Sequence, residues 1–354
     1  MTAPLEAADN KSISLVDATA IRRAVSTTAP PSAASEEEAD RGRGANRPSE
    51  IPPLGWKDIA WRLWEEFNKD RILLIAAGAS FYLLLALFPA LAAFVSLYGF
   101  VADPVTIADH VAYLGGLLPA GGLDIIRQQL LALARQDHSA LGAGFFVGLA
   151  IALWSANSGI KALFDAMNIA YEETEKRSFL KLNLLSVTFT IGAILIGIGL
   201  LLTVGIIPAV LAYLYLDMWT EWLVAVARWP GLMLATMVGI SLLYRFGPSR
   251  EHAKWRWLSW GAVLATLGWI AASWLFSFYL QNFADYNATY GSLGAVVGLM
   301  MWTWISVIIV IVGAAVNAEM EHQTARDSTT GPPLPMGERG AFVADTLGKS
   351  SELG

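Results

Sequence analysis

The stretch VVGLMMWTWISVIIVIV, Val296 to Val312, decides the fold. It contains no charged residue, and with its flanks it reaches the roughly 20 apolar residues that a helix needs to cross a hydrocarbon core about 30 Å thick. The whole chain has the same character, because 55% of its 354 residues are hydrophobic and only 15% are charged. That composition is too apolar for a soluble globular domain and predicts a membrane protein.

Five more runs of comparable length precede this one, so we expect an all-α, polytopic membrane protein with about six transmembrane helices. The expected spans are Leu73–Tyr98, Leu141–Phe164, Leu182–Leu211, Leu223–Leu243, Leu258–Leu280 and Leu293–Val316. Long unbroken apolar runs disfavour a β-barrel, whose strands show short alternating segments.

The two ends of the chain differ in composition from this transmembrane domain, which we place at residues 72–322. Residues 1–50 are rich in Ala, Ser, Pro and Glu, and residues 323–354 in Gly, Pro, Ser and Thr. Such segments cannot bury enough apolar surface to fold alone, so both are expected to be disordered tails. The start, MTAPLEAADN, lacks the basic and apolar parts of a signal peptide. Cysteine is absent, which excludes disulfides and thiolate metal sites.

Lysine and arginine in the short loops predict the orientation, because they mark the cytoplasmic side. Basic residues precede span one and fill the loops between spans two and three and between spans four and five, whereas 217–221 and 281–292 contain none. Both termini are therefore expected in the cytoplasm.

Two segments outside the spans show helical apolar spacing. Residues 51–71 place Trp56, Ile59, Leu63 and Phe67 on one side and charged residues on the other, which predicts an amphipathic interfacial helix. The outer loop at 100–140 carries a shorter pattern of the same kind around Ile125–Leu133.

Four motifs together resemble the YihY/BrkB family of bacterial inner-membrane proteins. The motifs are FPALAAFVSLYGF in span one, FDAMNIAY at the end of span two, LYRFGPSR after span four, and FADYNATYGSLGAVVGLMMW followed by GAAVNAEM in span six. The resemblance covers about Trp56 to Glu321. It implies a six-helix inner-membrane protein with both ends cytoplasmic and an association with envelope function and virulence. Ala315 stands where the family often has a glutamate.

Some members of that family carry a ribonuclease BN label, which implies a nuclease as an alternative. Metal-dependent nucleases need clustered histidines and carboxylates to hold ions. The four histidines here are isolated in the sequence, no Gly-rich phosphate loop appears, and the net charge of -6 does not favour nucleic acid. We therefore expect no catalytic residue, no metal, no cofactor and no nucleic-acid partner.

Polar residues inside the spans are the better lead to a site, because ionisable groups in a membrane usually face a protein interior or water. Steps of four, four and three place several of them on one face of span two, where Lys161 and Asp165 can pair. With polar or kinked positions on spans one and six, they form a candidate cytoplasmic cavity for a polar solute or lipid headgroup. Its residues are Tyr82, Pro89, Asn157, Lys161, Asp165, Asn168, Asn317 and Glu319. The alternative is that these residues only pack helices or reach the interface.

The stretch FADYNATYGSLGA, Phe283 to Ala295, is expected at the outer face. Ser292 can cap span six and tyrosines suit the interface. An anion or headgroup site at this outer mouth is the sharper hypothesis. Its residues are Arg228, Tyr286, Asn287, Tyr290 and Ser292.

Small residues recur at helix-packing intervals in spans five and six, where they allow close backbone approach within one chain or in a homo-oligomer. These are Gly261, Ala265, Gly268, Gly294 and Gly298. Two function classes follow: a transporter-like protein that handles a lipid or a polar or anionic solute, or a non-transporting membrane scaffold for the envelope.

Overall fold

A computed structural model describes residues 40–99, 138–201, 218–282 and 293–351, and these residues are helical apart from turns, loops and one isolated bridge. The helices are α1 (Pro53–Lys69), α2 (Ile72–Gly99), α3 (His138–Ala170), α4 (Phe179–Leu201), α5 (Met218–Phe246), α6 (Trp255–Asn282), α7 (Gly294–His322) and the short α8 (Phe342–Asp345). A 3-10 turn, Pro48–Glu50, precedes α1.

Helices α2 to α7 correspond in order to the six expected spans. Five of them, α3 to α7, contain stretches long and apolar enough to cross a membrane. The sixth, α2, is apolar over Ile72–Ala86 in the part whose side chains are described. The all-α polytopic class is thus confirmed, with five candidate spans in the described residues. The outer loop at 100–140 lies almost wholly outside them.

Helix α7 is the centre of the bundle, since it contacts α1, α2, α3, α6 and α8. Helices α2 and α3 share the most extensive interface. There Gly159 lets the Leu83 side chain come so close that an added Cβ would lie 2.7 Å from it. By contrast, the main described contacts of α4 are with α3 and α5. Many of its apolar side chains, among them Leu184, Ile191 and Leu195, are exposed, as expected for a surface covered by lipid.

The α6–α7 crossing depends on two glycines and one amide. Asn317 Oδ1 accepts a hydrogen bond from Gly261 N at 2.8 Å, and Asn317 Nδ2 donates to Leu258 O at 3.1 Å. A side chain at Gly261 would overlap the Gly313 carbonyl oxygen. Ala265 is 2% exposed at the same contact, and Gly268 faces Ile309 more loosely. Gly294 and Gly298 are buried, and no described atom lies within 4 Å of a Cβ added at Gly298.

One end of the bundle, which we call the basic end, gathers residues 40–71, 171–178, 247–254 and 323–351. Lys176 N donates to Ser249 Oγ at 2.9 Å, and Arg177 donates to Gly247 O at 2.8 Å, so the α3–α4 and α5–α6 loops lie side by side. Lys254 N donates to Ser328 O at 2.8 Å and ties the segment after α7 to them. The two loops whose positive charge predicted a common side of the membrane therefore lie at the same end of the molecule.

Residues 324–351 fold back over the basic end, so the expectation of a disordered tail there was wrong. Arg339 is buried and donates to the carbonyl oxygens of Leu334, Ala344 and Ala325. Ser351 N donates to Asp58 at 2.8 Å. A few charged side chains therefore form the hydrogen bonds that the backbone of several turns requires. Average composition does not reveal such contacts. Residues 40–50 are likewise folded, whereas 1–39 lie outside the described residues.

Helix α1 covers most of the expected amphipathic segment, and part of its charged side is buried. Ile59 is buried and Trp64 is 73% exposed. Asp58 and Arg62, which belong to the charged side of the expected helix, are 0% and 4% exposed. Helical periodicity separates polar from apolar sides, but it does not show whether the polar side faces water or buried partners.

We predict that Gly261→Ala lowers the free energy of unfolding by about 1–3 kcal/mol or more, since about 1–3 kcal/mol is the usual cost of overpacking a tight contact. The added methyl would collide with backbone at Gly313, which cannot rotate away. Chemical unfolding in detergent micelles measures the effect. The control is Gly78→Ala on the exposed side of α2, where no described atom lies within 4 Å. Equal stabilities for both variants would contradict the proposed helix contact.

Candidate functional site

Arg62 is the central cation of the basic end. Its Nε donates to the Glu319 carboxylate, its Nη2 to Gln323 Oε1 at 2.8 Å, and its Nη1 to Lys349 O at 2.8 Å. Arg62 and Glu319 are 4% and 1% exposed. One guanidinium therefore joins α1, the end of α7 and the folded C-terminal segment. Removing one partner of such a buried pair typically costs about 3–5 kcal/mol.

A second ion pair holds the first turns of α1. Arg41 Nη1 lies 3.0 Å from both carboxylate oxygens of Asp58. Burial raises the pKa of Asp58, but the hydrogen bonds from Ser351 and Arg41 outweigh it and hold this pKa below its ordinary value. Asp58 is thus kept ionised, and it anchors the two ends of the described chain to α1.

A third buried ion pair joins Arg250 and Glu321, and both charged groups have hydrogen-bond partners. Arg250 donates to both Glu321 oxygens at 3.3 and 2.7 Å, and Ser328 Oγ donates to Glu321 at 2.6 Å. The Tyr171 ring lies 5.0 Å from the Arg250 guanidinium. Burial alone would lower the pKa of Arg250, but Glu321 raises it. All of these groups serve structure.

Beside the Arg62 pair lies a cavity of about 300 Å³. Its walls combine aromatic and apolar side chains from Trp61, Phe342 and Leu347 with a set of ionisable groups. The ionisable lining residues are Arg62, Glu65, Glu66, Lys69, Glu172, His322 and Lys349. Glu172 follows α3 with φ of 52°, a left-handed conformation that is uncommon outside glycine. A mixed-charge cavity of this volume is large enough for a small polar molecule.

Glu66 is a carboxyl group of this cavity whose ionised form is disfavoured. Burial, and next the Glu319 carboxylate beside it, raise the pKa of Glu66 to about 8. Glu172 and Asp70 act in the same direction. Glu66 is therefore protonated over much of the neutral range.

The polar face expected on span two does not form one site. Lys161 Nζ donates to Asn183 Oδ1 of α4 at 2.6 Å, whereas Asp165 is exposed, so the expected Lys161–Asp165 pair was wrong. A lysine four residues before an acid is the weaker order for a helical ion pair, and α4 offers a nearer acceptor. Asn168 bonds Ser249 N at 2.7 Å, and the Asn157 Oδ1 is buried without a partner in the described part of the chain.

The remaining members of that expected cavity also separate. Tyr82 is 39% exposed on α2, and α2 continues as a helix through Pro89. Asn317 is occupied by the α6 backbone. Only Glu319 adjoins the observed cavity, directly behind Arg62. Ala315, one turn earlier, is a buried methyl where the resembled family often has a carboxylate.

The outer-mouth hypothesis falls mostly outside the described residues. Four of its five residues lie outside the described part of the chain: Tyr286, Asn287, Tyr290 and Ser292. The fifth, Arg228, belongs to α5, and its side chain is not described. Among described residues, no group of three His, Cys, Asp or Glu side chains could hold a metal ion.

Sequence reasoning missed the residues that the cavity unites, chiefly Arg62, Glu66 and His322. Two signals could have found them. Arg62 and Glu66 are four residues apart and so share one face of α1, and Glu319 and Gln323 share one face of α7. Nothing in the sequence indicated that these two faces meet.

Comparisons with known proteins give one matching family and several relatives. The family described as Virulence factor BrkB matches residues 63–335. YfkH of Bacillus subtilis (strain 168), which carries a provisional ribonuclease-like name, is 34% identical over 253 residues, 69% of this chain and 88% of that protein.

Two further relatives are named only as membrane proteins. UPF0761 membrane protein IL2447 of Idiomarina loihiensis is 28% identical over 219 residues, 60% of this chain and 72% of its own length. A UPF0761 membrane protein of Albidiferax ferrireducens is 26% identical over 284 residues, 76% of this chain and 64% of its own. No solved structure matches the chain.

The raised pKa of Glu66 predicts a pH dependence of stability. Between pH 4.5, its ordinary value, and about 8, the folded protein holds a proton that the unfolded chain has lost. Rising pH therefore lowers the free energy of unfolding through this group, by at most about 1.4 kcal/mol per pH unit. Glu66→Gln removes that loss. The melting temperature of the variant minus that of wild type should therefore increase as pH rises from 5 to 8.

The matched control is Glu338→Gln, which changes an exposed carboxylate far along the C-terminal segment. Its melting temperature should follow wild type at every pH. A constant offset between Glu66→Gln and wild type across this range would mean that Glu66 titrates normally.

Proposed function

Since this chain belongs to the BrkB family of membrane proteins, as its motifs predicted, we propose that it handles a polar solute or a lipid headgroup at the basic end of its bundle. We place the protein in the bacterial inner membrane with the basic end in the cytoplasm, following the distribution of Lys and Arg. The single observation that carries the proposal is the cavity of about 300 Å³ lined by seven ionisable side chains beside the Arg62–Glu319 pair.

Structural need alone accounts poorly for that cavity. The Asp58 and Arg250 pairs also lie at the basic end, and their partners satisfy them. Burial, and next the neighbouring Glu319 carboxylate, instead raise the pKa of Glu66, which costs stability once Glu66 ionises. Groups kept in such an unfavourable state are typical of sites that bind protons or ligands.

The position of the cavity fits a transporter-like role. It lies where α1, with its exposed Trp64, meets the end of the central helix α7. A ligand there could come from the cytoplasm or from the adjacent leaflet. Glu319 lies at the end of α7, so a change in its pairing would act directly on the helix that contacts most of the bundle.

The test is reconstitution of the full chain into liposomes. One assay follows NBD-labelled phospholipids by dithionite quenching, and another follows a panel of radiolabelled amines, amino acids and organic anions. We expect movement of at least one probe above protein-free liposomes. We also expect Glu319→Gln to slow it by at least about ten-fold, the effect of about 1.4 kcal/mol.

Glu338→Gln is the control and should retain the wild-type rate at equal amounts of folded protein. If folded wild-type protein moves none of these probes, the transport proposal fails and the non-transporting scaffold becomes the better account.

A further inference from the structure

Residues 346–351, which we call the strap, form one wall of the cavity beside Arg62. Thr346, Leu347 and Lys349 line the cavity from this side. The other walls come from α1, from the ends of α3 and α7, and from α8. The position of the strap therefore sets how wide the cavity is.

The strap is held in place by hydrogen bonds of its own backbone to the basic end. These bonds are Gly348 N to His322 O at 2.9 Å, Arg43 Nη2 to Gly348 O at 2.6 Å, Arg62 Nη1 to Lys349 O at 2.8 Å and Ser351 N to Asp58 Oδ1 at 2.8 Å. Residues near a chain end stay ordered when such contacts tie them down. Each bond replaces one that water would make if the strap opened, so each adds only modestly to stability.

Opening of the strap leaves no buried charge alone. Arg62 would keep its bonds to the Glu319 carboxylate and to Gln323. Asp58 would keep both of its contacts with Arg41. The costly step at the basic end is breaking a buried ion pair, and this movement does not include it.

Apolar anchoring of the C-terminal segment ends just before the strap. Ala341, Val343 and Ala344 are each 1% exposed, and the buried Arg339 donates to the Ala344 carbonyl oxygen at 2.6 Å. In the strap, Leu347 is the one large apolar side chain, and it is 40% exposed. Segments with few buried apolar contacts open locally at a lower free energy than the whole fold.

Gly348 lets the strap lie directly on the Arg62 guanidinium. A Cβ added at Gly348 would lie 2.5 Å from Arg62 Cζ and 2.7 Å from Arg62 Nε. Glu319 and Gln323 fix the guanidinium from other sides. A larger residue at position 348 must therefore displace the strap rather than the arginine.

We propose that the strap is a lid, which opens while the rest of the C-terminal segment stays folded and so admits the ligand to the cavity beside Arg62. The inference rests on the proposed function, because it assigns the regulation of the same site. The closed strap restrains entry, and opening removes the wall that Thr346, Leu347 and Lys349 form.

Thiol labelling of single cysteines, on the full chain in nanodiscs, measures the opening. The chain has no cysteine of its own. Ser351→Cys places a thiol where the native hydroxyl oxygen is buried. Ser328→Cys places one at a residue of the C-terminal segment that is 0% exposed and lies outside the strap. N-ethylmaleimide should label Ser351→Cys at least about ten-fold faster than Ser328→Cys, because local opening exposes only the first thiol.

Gly348→Ala should raise the labelling rate of Ser351→Cys by at least about ten-fold, because the added methyl collides with Arg62. Gly44→Ala is the matched control, since no described atom lies within 4 Å of a Cβ added there, and it should leave the rate unchanged. If Gly348→Ala does not fold, Thr346→Val is the second variant with the same direction of change, because it removes the hydroxyl that donates to Phe342 O at 2.7 Å. The proposal is overturned if the two cysteines are labelled at the same rate, or if neither folded variant speeds the labelling.

The liposome assays show whether the strap controls entry. For every probe that the wild-type chain moves, Gly348→Ala should raise the rate in proportion to the labelling, at equal amounts of folded protein, and Gly44→Ala should not. Local opening with a rate of movement that Gly348→Ala leaves unchanged would contradict the role of the strap as a lid. Local opening without movement of any probe would contradict the transport proposal and leave the opening of the strap standing. Movement with equal labelling of both cysteines would contradict the lid alone.

Discussion

The buried ion pair between Arg62 and Glu319 is the interaction on which the basic end depends. Each charge is almost wholly removed from solvent, so neither can lose its partner without a large desolvation cost. The remaining donors of Arg62 fix Gln323 and the backbone at Lys349. Helix α1, the end of α7 and the C-terminal segment are therefore held as one unit.

The last turns of α7 divide their polar residues between two neighbours through helical spacing. Gly313, Asn317 and Glu321 recur every four residues, and they face α6 and the Arg250 loop. Glu319 and Gln323 lie on another side, where both bind Arg62. One helix end thus satisfies two separate sets of buried groups. The cavity forms on the Arg62 side, where burial and the Glu319 carboxylate raise the pKa of Glu66.

Hydrophobic length predicted the membrane class and the approximate helices, because a span must supply its own apolar run. It could not predict the basic end. Arg62 and Glu319 are separated by 257 positions, and the amphipathic pattern of α1 is the same whether Arg62 meets water or a carboxylate. The composition of 323–354 suggested disorder, yet Arg339 and a few backbone contacts order most of it. On span two, spacing put Lys161 beside Asp165, but a residue of the next helix was the better partner.

A double-mutant cycle on Arg62→Met and Glu319→Gln, measured by chemical unfolding in detergent micelles, tests this account most directly. Each single variant should lower the free energy of unfolding by about 3–5 kcal/mol, because one buried charge is left alone. The double variant should lose less than the sum of the two, by at least about 1 kcal/mol. Losses that add within about 0.5 kcal/mol would contradict the pairing, and with it the site built around Arg62.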